Sequence, residues 1–308
     1  KKILDPTEYA GTTHVGKISV ERSFEGDLHG TSGHEDVVVN VHGRKMQVLD
    51  RVRPPPARDA TLTIHITPLP GRDVILTIDI NAQLAADTAL QGRRGAAVAI
   101  DPRNGEVLAF VSTPAFDPNA ISAGLSRRAY LALQEDVDRP MFNRALRGQY
   151  PPGSTIKPMV ALAALHYGVV TPERRVGCRG AYSLPGSSHR YRDWKPEGHG
   201  AVDLYTAIEQ SCDVYFYTVA RDLGIERMAG FLTTFGLGDI TGLDIGGEQK
   251  GLVPSPAWKK KAFRRPADQV WFLGETVIAG IGQGYLLVTP LQLAHATATV
   301  AARGQRFQ

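Results

Sequence analysis

Apolar and polar residues alternate in short runs over the first part of the chain, then gather into longer apolar stretches. The run Val37-Val38-Val39-Asn40-Val41, set among Gly, His and charged residues, predicts a small strand-rich module. "RVRPPPARDA", from Arg51 to Ala60, predicts a stiff linker or sheet edge, because proline fixes the backbone and removes donors. "RDVILTIDI", Arg72 to Ile80, reads as a strand, and "NAQLAADTAL" after it as a helix stopping near Gly92. The change of rhythm puts a domain boundary at residue 72, dividing 1–71 from 72–308.

Beyond that boundary the pattern predicts a hairpin, then helices. "GAAVAI" and "GEVLAFVS" flank Asp101-Pro-Arg-Asn104, and Asn104-Gly105 suits a tight turn. "KPMVALAALHYG" is Ala/Leu-rich, closed by Gly168, and reads as a buried helix with Pro158 in its first turn. His166 falls within this helix and reads as a core or surface histidine. "DLYTAIEQ" and "DVYFYTVARDLG" predict two helices meeting at Ser211-Cys212. "TPLQLAHATATVAARG" predicts a last helix with Thr289 as N-cap and Pro290 at its first position. No internal repeat interrupts the order. Strands followed by many helices predict an α+β fold, a mixed sheet covered by helices.

Composition narrows the classes. The chain has 308 residues, 43% hydrophobic and 21% charged, enough for a substantial core. Its formal charge is +4, and no basic run is interleaved with aromatics, so nucleic acid is not an expected partner. Lys259-Lys260-Lys261 reads as a solvated surface. No apolar run is long enough for a membrane span, and no signal peptide opens the chain; a natural anchor is expected to lie outside it. The two cysteines, Cys178 and Cys212, fit a disulfide or two buried thiols.

One segment suggests chemistry. In "YPPGSTIKP", Ser154 and Lys157 lie three residues apart at the start of the apolar helix, so they share a face. This is the only S-x-x-K in the chain. Burial depresses a lysine's pKa, which would leave a neutral amine to activate the serine. Free backbone N–H groups at a helix start would favour an oxyanion. The plainer alternative is a helix N-cap serine with a surface lysine. A second element, Ser211-Cys212-Asp213, stands at a helix junction. There Ser211 could relay a proton, or Ser211 or Asp213 could simply cap the next helix.

These segments together resemble a family. S-x-x-K with S-D-N and K-T-G is the signature of the penicillin-binding proteins and class A β-lactamases. "RALRGQYPPGSTIKP" is similar to the class B penicillin-binding proteins, the monofunctional peptidoglycan transpeptidases. "HRYRDWKPEGHGAVDLYTAIEQSCDVYFYTVARDLG" and "GIGQGYLLVTPLQLA" resemble the elongation-type branch, the penicillin-binding protein 2 group. "GKISVERSFEGDLHG" resembles the signature of that family's N-terminal pedestal. The resemblance implies a transpeptidase domain on a small pedestal. Ser154 would be the nucleophile, Lys157 the base, Ser211 the proton relay and Asp213 a further member of the site.

It also implies peptidoglycan stem peptides as substrates and β-lactams as acylating inhibitors. Implied partners are a membrane-embedded glycan polymerase and cell-elongation scaffold proteins. The implied location is the periplasmic face of the bacterial inner membrane. Two departures stand out. Asp213 replaces the usual asparagine of the second motif; its carboxylate could still accept a hydrogen bond and would add charge beside Lys157. No K-T-G or similar triplet occurs, so the chain is expected to stop before the third-motif strand and not to turn over by itself.

The segment between the two motifs holds Cys178, Asp193, His199 and Cys212, residue types that suit zinc. Spacings of 15, 6 and 13 residues contain no tight C-x-x-C pair, so the sequence by itself favours the plainer readings, a disulfide or Cys212 as a small buried hydrophobe. The resemblance implies a structural zinc at these four positions, bracing the Ser211 loop. A D,D-carboxypeptidase and a non-catalytic β-lactam sensor or scaffold remain alternatives. A zinc hydrolase does not fit, because four protein ligands leave no open position.

Overall fold

The computed structural model describes residues 15–16, 19–30, 35–39, 45–48, 60–64, 72–122 and 124–307. Contacts separate two units, Lys1–Leu76 with Asp244–Gly246, and Thr77–Leu243 with Gly247–Gln308. The smaller unit has two short helices, α1 (Ser19–Ser23) and α2 (Glu25–Leu28). Its strands β1 (Glu35–Val39), β2 (Lys45–Val48) and β3 (Ala60–Ile64) form an antiparallel sheet in the order β2-β1-β3. Asn40, Val41 and residues 51–59 of the proline segment lie outside the described residues.

The strand expected over Arg72–Ile80, which crosses from the smaller unit into the larger at Thr77, does not form. Thr77 Oγ1 donates to the Val107 carbonyl at 2.7 Å and the Asp79 amide to Leu108 at 2.9 Å, two bonds rather than a ladder. The Asp79 carboxylate then accepts from the Asn81 and Ala82 amides and turns the chain into α3 (Ile80–Leu90). The expected hairpin is present as β4 (Gly95–Ile100) and β5 (Val107–Thr113), paired antiparallel from Gly95–Thr113 to Ile100–Val107. Gly105 supplies the positive φ of +83° that the turn requires. Helix α3 packs on this hairpin.

Three short helices follow, α4 (Pro118–Ser122), α5 (Arg127–Glu135) and α6 (Arg144–Arg147). A single 3-10 turn, Gly153–Ile156, leads into α7 (Lys157–His166), with Pro158 in its first turn. His166 is the last residue of α7, exposed, its ring against Tyr167 and Phe231. Two antiparallel ribbons come next. One pairs β6 (Val176–Cys178) with a later strand, β9 (Gly200–Val202); the other pairs β7 (Ala181–Tyr182) with β8 (Tyr191–Arg192). Helices α8 (Leu204–Glu209), α9 (Asp213–Leu223), α10 (Ile225–Thr234), α11 (Pro256–Ala262), α12 (Leu273–Ala279) and α13 (Pro290–Ala301) complete the unit. Asp203 caps α8, and Thr289 with Gln292 forms a capping box at α13. No helix among the described residues is long and apolar enough to cross a membrane.

The core lies where α7 meets α8, α9 and α10, and where α9 meets α12. Met159, Val160, Ala163 and Ala164 of α7 and Phe216, Val219 and Ala220 of α9 are buried there. A buried Val or Met stabilises by roughly 1.5–3 kcal/mol, so this contact fixes the head of α7 firmly. The "GIGQG" run fixes the turn before it. The Gly153 amide donates to the Gly282 carbonyl at 2.9 Å, and a Cβ on Gly282 would fall 2.1 Å from the Gly153 oxygen. Tyr150 and Val288 exchange two backbone bonds of 2.9 Å just beyond.

Candidate active site and adjoining thiol cluster

Ser154 stands exposed on the 3-10 turn, not on the α-helix expected from its sequence. In a 3-10 turn, residues i and i+3 eclipse, so the Ser154–Lys157 spacing keeps its meaning. Ser154 does not act as a cap. The residues preceding the turn and α7 are Pro152 and Ile156, neither with a side-chain capping bond. The N-cap alternative for this serine is therefore not what forms.

Lys157 is 1% exposed, at the head of α7. Its Nζ donates to the Ser211 carbonyl at 2.8 Å, to Ser211 Oγ at 3.0 Å and to Asp213 Oδ1 at 2.6 Å. The Phe216 ring lies 5.4 Å from Nζ. A neutral amine was the expectation from the sequence; the structure pairs Lys157 with the Asp213 carboxylate as a buried ion pair. The cause is the carboxylate at position 213, whose other oxygen accepts the Trp194 amide at 3.1 Å.

Ser211 owes its place to the end of α8. The Cys212 amide donates to Ala207 at 2.9 Å and the Ser211 amide to Ile208 at 3.2 Å, the two bonds of a Schellman stop. That stop needs a left-handed residue, normally glycine, and Ser211 takes it at φ +54°. The following helix is capped by neither Ser211 nor Asp213, contrary to the simple capping alternative. Cys212 is the N-cap of α9, its Sγ accepting from the Tyr215 amide at 3.5 Å. Ser211 is thus free of a capping duty and bonded to Lys157.

Directly behind this loop lie Cys178, Asp193, His199 and Cys212, their ligand atoms all within 4.8 Å of one another. Register explains the meeting: Cys178 faces Gly200 across β6–β9, which brings His199 alongside, and Asp193 follows β8. Two glycines permit the close approach. A Cβ on Gly180 would lie 1.8 Å from the Pro196 oxygen, and one on Gly198 would lie 2.3 Å from the Cys178 oxygen. Asp193 Oδ2 accepts from Cys178 Sγ at 3.4 Å and Cys212 Sγ at 3.5 Å; His199 Nδ1 is 3.5 Å from Cys178 Sγ and 3.5 Å from Asp193 Oδ1. The donor set fits zinc in its chemistry; a tetrahedron with zinc bond lengths has edges of roughly 3.3–3.8 Å, so four ligand atoms spread over up to 4.8 Å would draw together on binding.

Both thiols are free and buried, so the disulfide alternative is not what the structure shows. Burial pushes the Cys212 thiol up; the Tyr215 amide offsets this in part, and Cys178 and Asp193 add to it. A thiol so placed ionises when a cation replaces its proton. Burial would raise Asp193 too, but the Lys195 and Val214 amides, the Cys178 thiol and the His199 ring hold its carboxyl below the ordinary value.

Two contributors to the site escaped the sequence. Trp194 bridges the cluster and the Ser211 loop, with only its adjacency to Asp193 as a signal. Gly282 pins the Ser154 turn, and the glycine-rich "GIGQG" run was its only mark.

Residues 95–308 match the model of the penicillin binding protein transpeptidase domain. The chain belongs to the penicillin-binding-protein transpeptidase family. Among similar proteins, peptidoglycan D,D-transpeptidase MrdA of Acinetobacter baumannii is 45% identical over 303 residues, 98% of this chain and 42% of that protein. The crystal structure of Pseudomonas aeruginosa PBP2 in complex with WCK 5153 superposes with a TM-score of 0.82 at 47% identity, over 99% of this chain and 60% of that one. The Helicobacter pylori complex between PBP2 and MreC gives a TM-score of 0.81 at 32% identity, covering 94% and 51%. The chain thus spans about two fifths of the length of the curated relative it matches. The transpeptidase fold, with helix and sheet combined, is the one expected from the sequence.

Proposed function

We propose that this chain is the catalytic part of a peptidoglycan D,D-transpeptidase of cell elongation, working through an acyl-enzyme on Ser154. The observation that carries this is Lys157, buried, one turn from Ser154 and bonded to Ser211 Oγ at 3.0 Å. Kinship with MrdA and PBP2 proteins points the same way.

In this reading Ser154 Oγ attacks the carbonyl of the D-Ala–D-Ala bond of a stem peptide. The reactive form is the one in which the Lys157–Asp213 pair has given up a proton, so that Nζ can take the hydroxyl proton. The C–N bond breaks, and the departing D-Ala amine gains its proton through Ser211. An amine from a neighbouring strand then attacks the ester, gives up a proton by the same route and frees Ser154. A β-lactam acylates Ser154 by ring opening. Asp213 orients Lys157 and ties the Ser211 loop to Trp194.

Cys178, Asp193, His199 and Cys212 would hold a structural zinc. These four residues, so held, would brace the Ser211 loop through Cys212, and the ion would supply no chemistry at the serine. Residues 1–71 would serve as the docking pedestal for a membrane-embedded glycan polymerase and for a scaffold such as the MreC seen with the H. pylori relative. The site would act at the periplasmic face of the inner membrane.

Product analysis of the full-length protein with a stem-peptide donor and an amine acceptor tests this. Cross-linked product supports transpeptidation. Release of D-Ala with water alone as acceptor would make it a carboxypeptidase, and acylation with neither product would make it a sensor or scaffold.

A further inference from the structure

Trp194 touches both flanks of Ser211. Its indole Nε1 donates to the Gln210 carbonyl at 3.0 Å, and its amide donates to Asp213 Oδ2 at 3.1 Å. Gln210 is the C-cap of α8, where carbonyls have no helical donor and turn to side chains or water; here the indole N–H takes that place. The ring lies 5.4 Å from that of His199, and the preceding residue is Asp193. Trp194 is 63% exposed, so these polar contacts rather than burial hold it in place.

These contacts give Ser211 a second support. Lys157 holds the Ser211 carbonyl and hydroxyl from the α7 side. Trp194 holds the peptide before Ser211 and the carboxylate two residues after it, from the side of the thiol cluster. The left-handed backbone at Ser211 is strained for a serine and stays in place only where neighbours determine it. We infer that Trp194 is a positioning residue for the acyl-transfer reaction: its indole N–H fixes the Gln210–Ser211 peptide, and with it the direction of Ser211 Oγ. This rests on the reading of Ser154, Lys157 and Ser211 given above. Trp194 does not itself take or give a proton in the reaction.

Trp194→Phe keeps a ring against His199 and keeps the backbone bond to Asp213, but deletes the indole donor. Stopped-flow acylation of the full-length protein by a fluorescent penicillin separates the dissociation constant of the first complex from the acylation rate constant. Metal content is measured on the same samples. Loss of one hydrogen bond of ordinary strength predicts an acylation rate constant about 3- to 10-fold lower in Trp194→Phe. The dissociation constant and metal content stay as in the wild type. Trp194→Ala, which also loses the ring, falls further.

An unchanged rate constant in Trp194→Phe would overturn the inference. So would a loss confined to the dissociation constant, which would make Trp194 a ligand contact, or a loss that follows metal content. Wild-type protein that is not acylated at Ser154 would overturn the underlying reading of the site, a result distinct from all of these.

Discussion

Lys157 Nζ meets the Ser211 carbonyl at 2.8 Å and Ser211 Oγ at 3.0 Å, across 54 residues of sequence. The lysine of the first motif therefore carries the serine of the second. Because Ser211 sits at φ +54°, where the fold would accept glycine more readily, its side chain costs stability. The hydroxyl is the group that gives this residue a reason to be there.

Comparison of Ser211→Gly with Ser211→Ala isolates that cost. Both lose the hydroxyl and its bond to Lys157, and both are expected to lose nearly all acyl transfer. Only glycine relieves the backbone. Urea denaturation should find Ser211→Gly more stable than Ser211→Ala by about 1 kcal/mol. Equal midpoints would mean that the left-handed turn does not persist in solution.

The Lys157–Asp213 pair makes a second prediction. Lys157→Ala leaves the Asp213 carboxylate buried without its cation, and should destabilise the fold by about 3–5 kcal/mol. Adding Asp213→Asn removes the unpaired charge and should recover a large part of the loss. A double-mutant cycle by chemical denaturation measures the coupling; additive effects would contradict the pairing.

Acid stability can be read at Asp222. Burial would raise its carboxyl, but hydrogen bonds from Arg174 and Arg221 outweigh this and hold it below the ordinary value. A depressed carboxyl stabilises the fold above its unfolded pKa of about 3.9, and the gain fades as pH falls through the lower folded value. The stability difference between wild type and Asp222→Asn should hold from pH 7 to about pH 4 and shrink below. A difference that grows on acidification would be the wrong sign.

Elemental analysis of the full-length protein should find about one zinc per chain. Chelation should lower the melting temperature and slow acylation, since the cluster backs onto the Ser211 loop through Cys212. Metal-free protein carrying a Cys178–Cys212 disulfide under non-reducing mass spectrometry would contradict the four-ligand reading.

Much of this was visible in the sequence because it is local. Thr289 as a cap and Gly168 as a stop mark helices through bonds within a few residues, and both stand at helix ends. The S-x-x-K spacing is local as well. Arg72–Ile80 misled because its apolar residues suit a strand, while one carboxylate, Asp79, decides where the helix begins. That Asp213 would put charge beside Lys157 was legible once the second motif was seen; the direct 2.6 Å ion pair was not, because it depends on how α7 packs on α9. The thiol cluster was legible in residue type but not in geometry, since Cys178 and His199 meet only through the pairing of β6 with β9. Trp194 carried no signal beyond its adjacency to Asp193, because its bonds go to a backbone carbonyl and to a residue distant in sequence.

The measurement closest to the central claim is the site of acylation. After reaction of the full-length protein with penicillin, peptide mass spectrometry should place a single adduct on the Ser154 side chain, and Ser154→Ala should carry none. An adduct that survives in Ser154→Ala, or that maps to Ser211 in the wild type, would contradict the account.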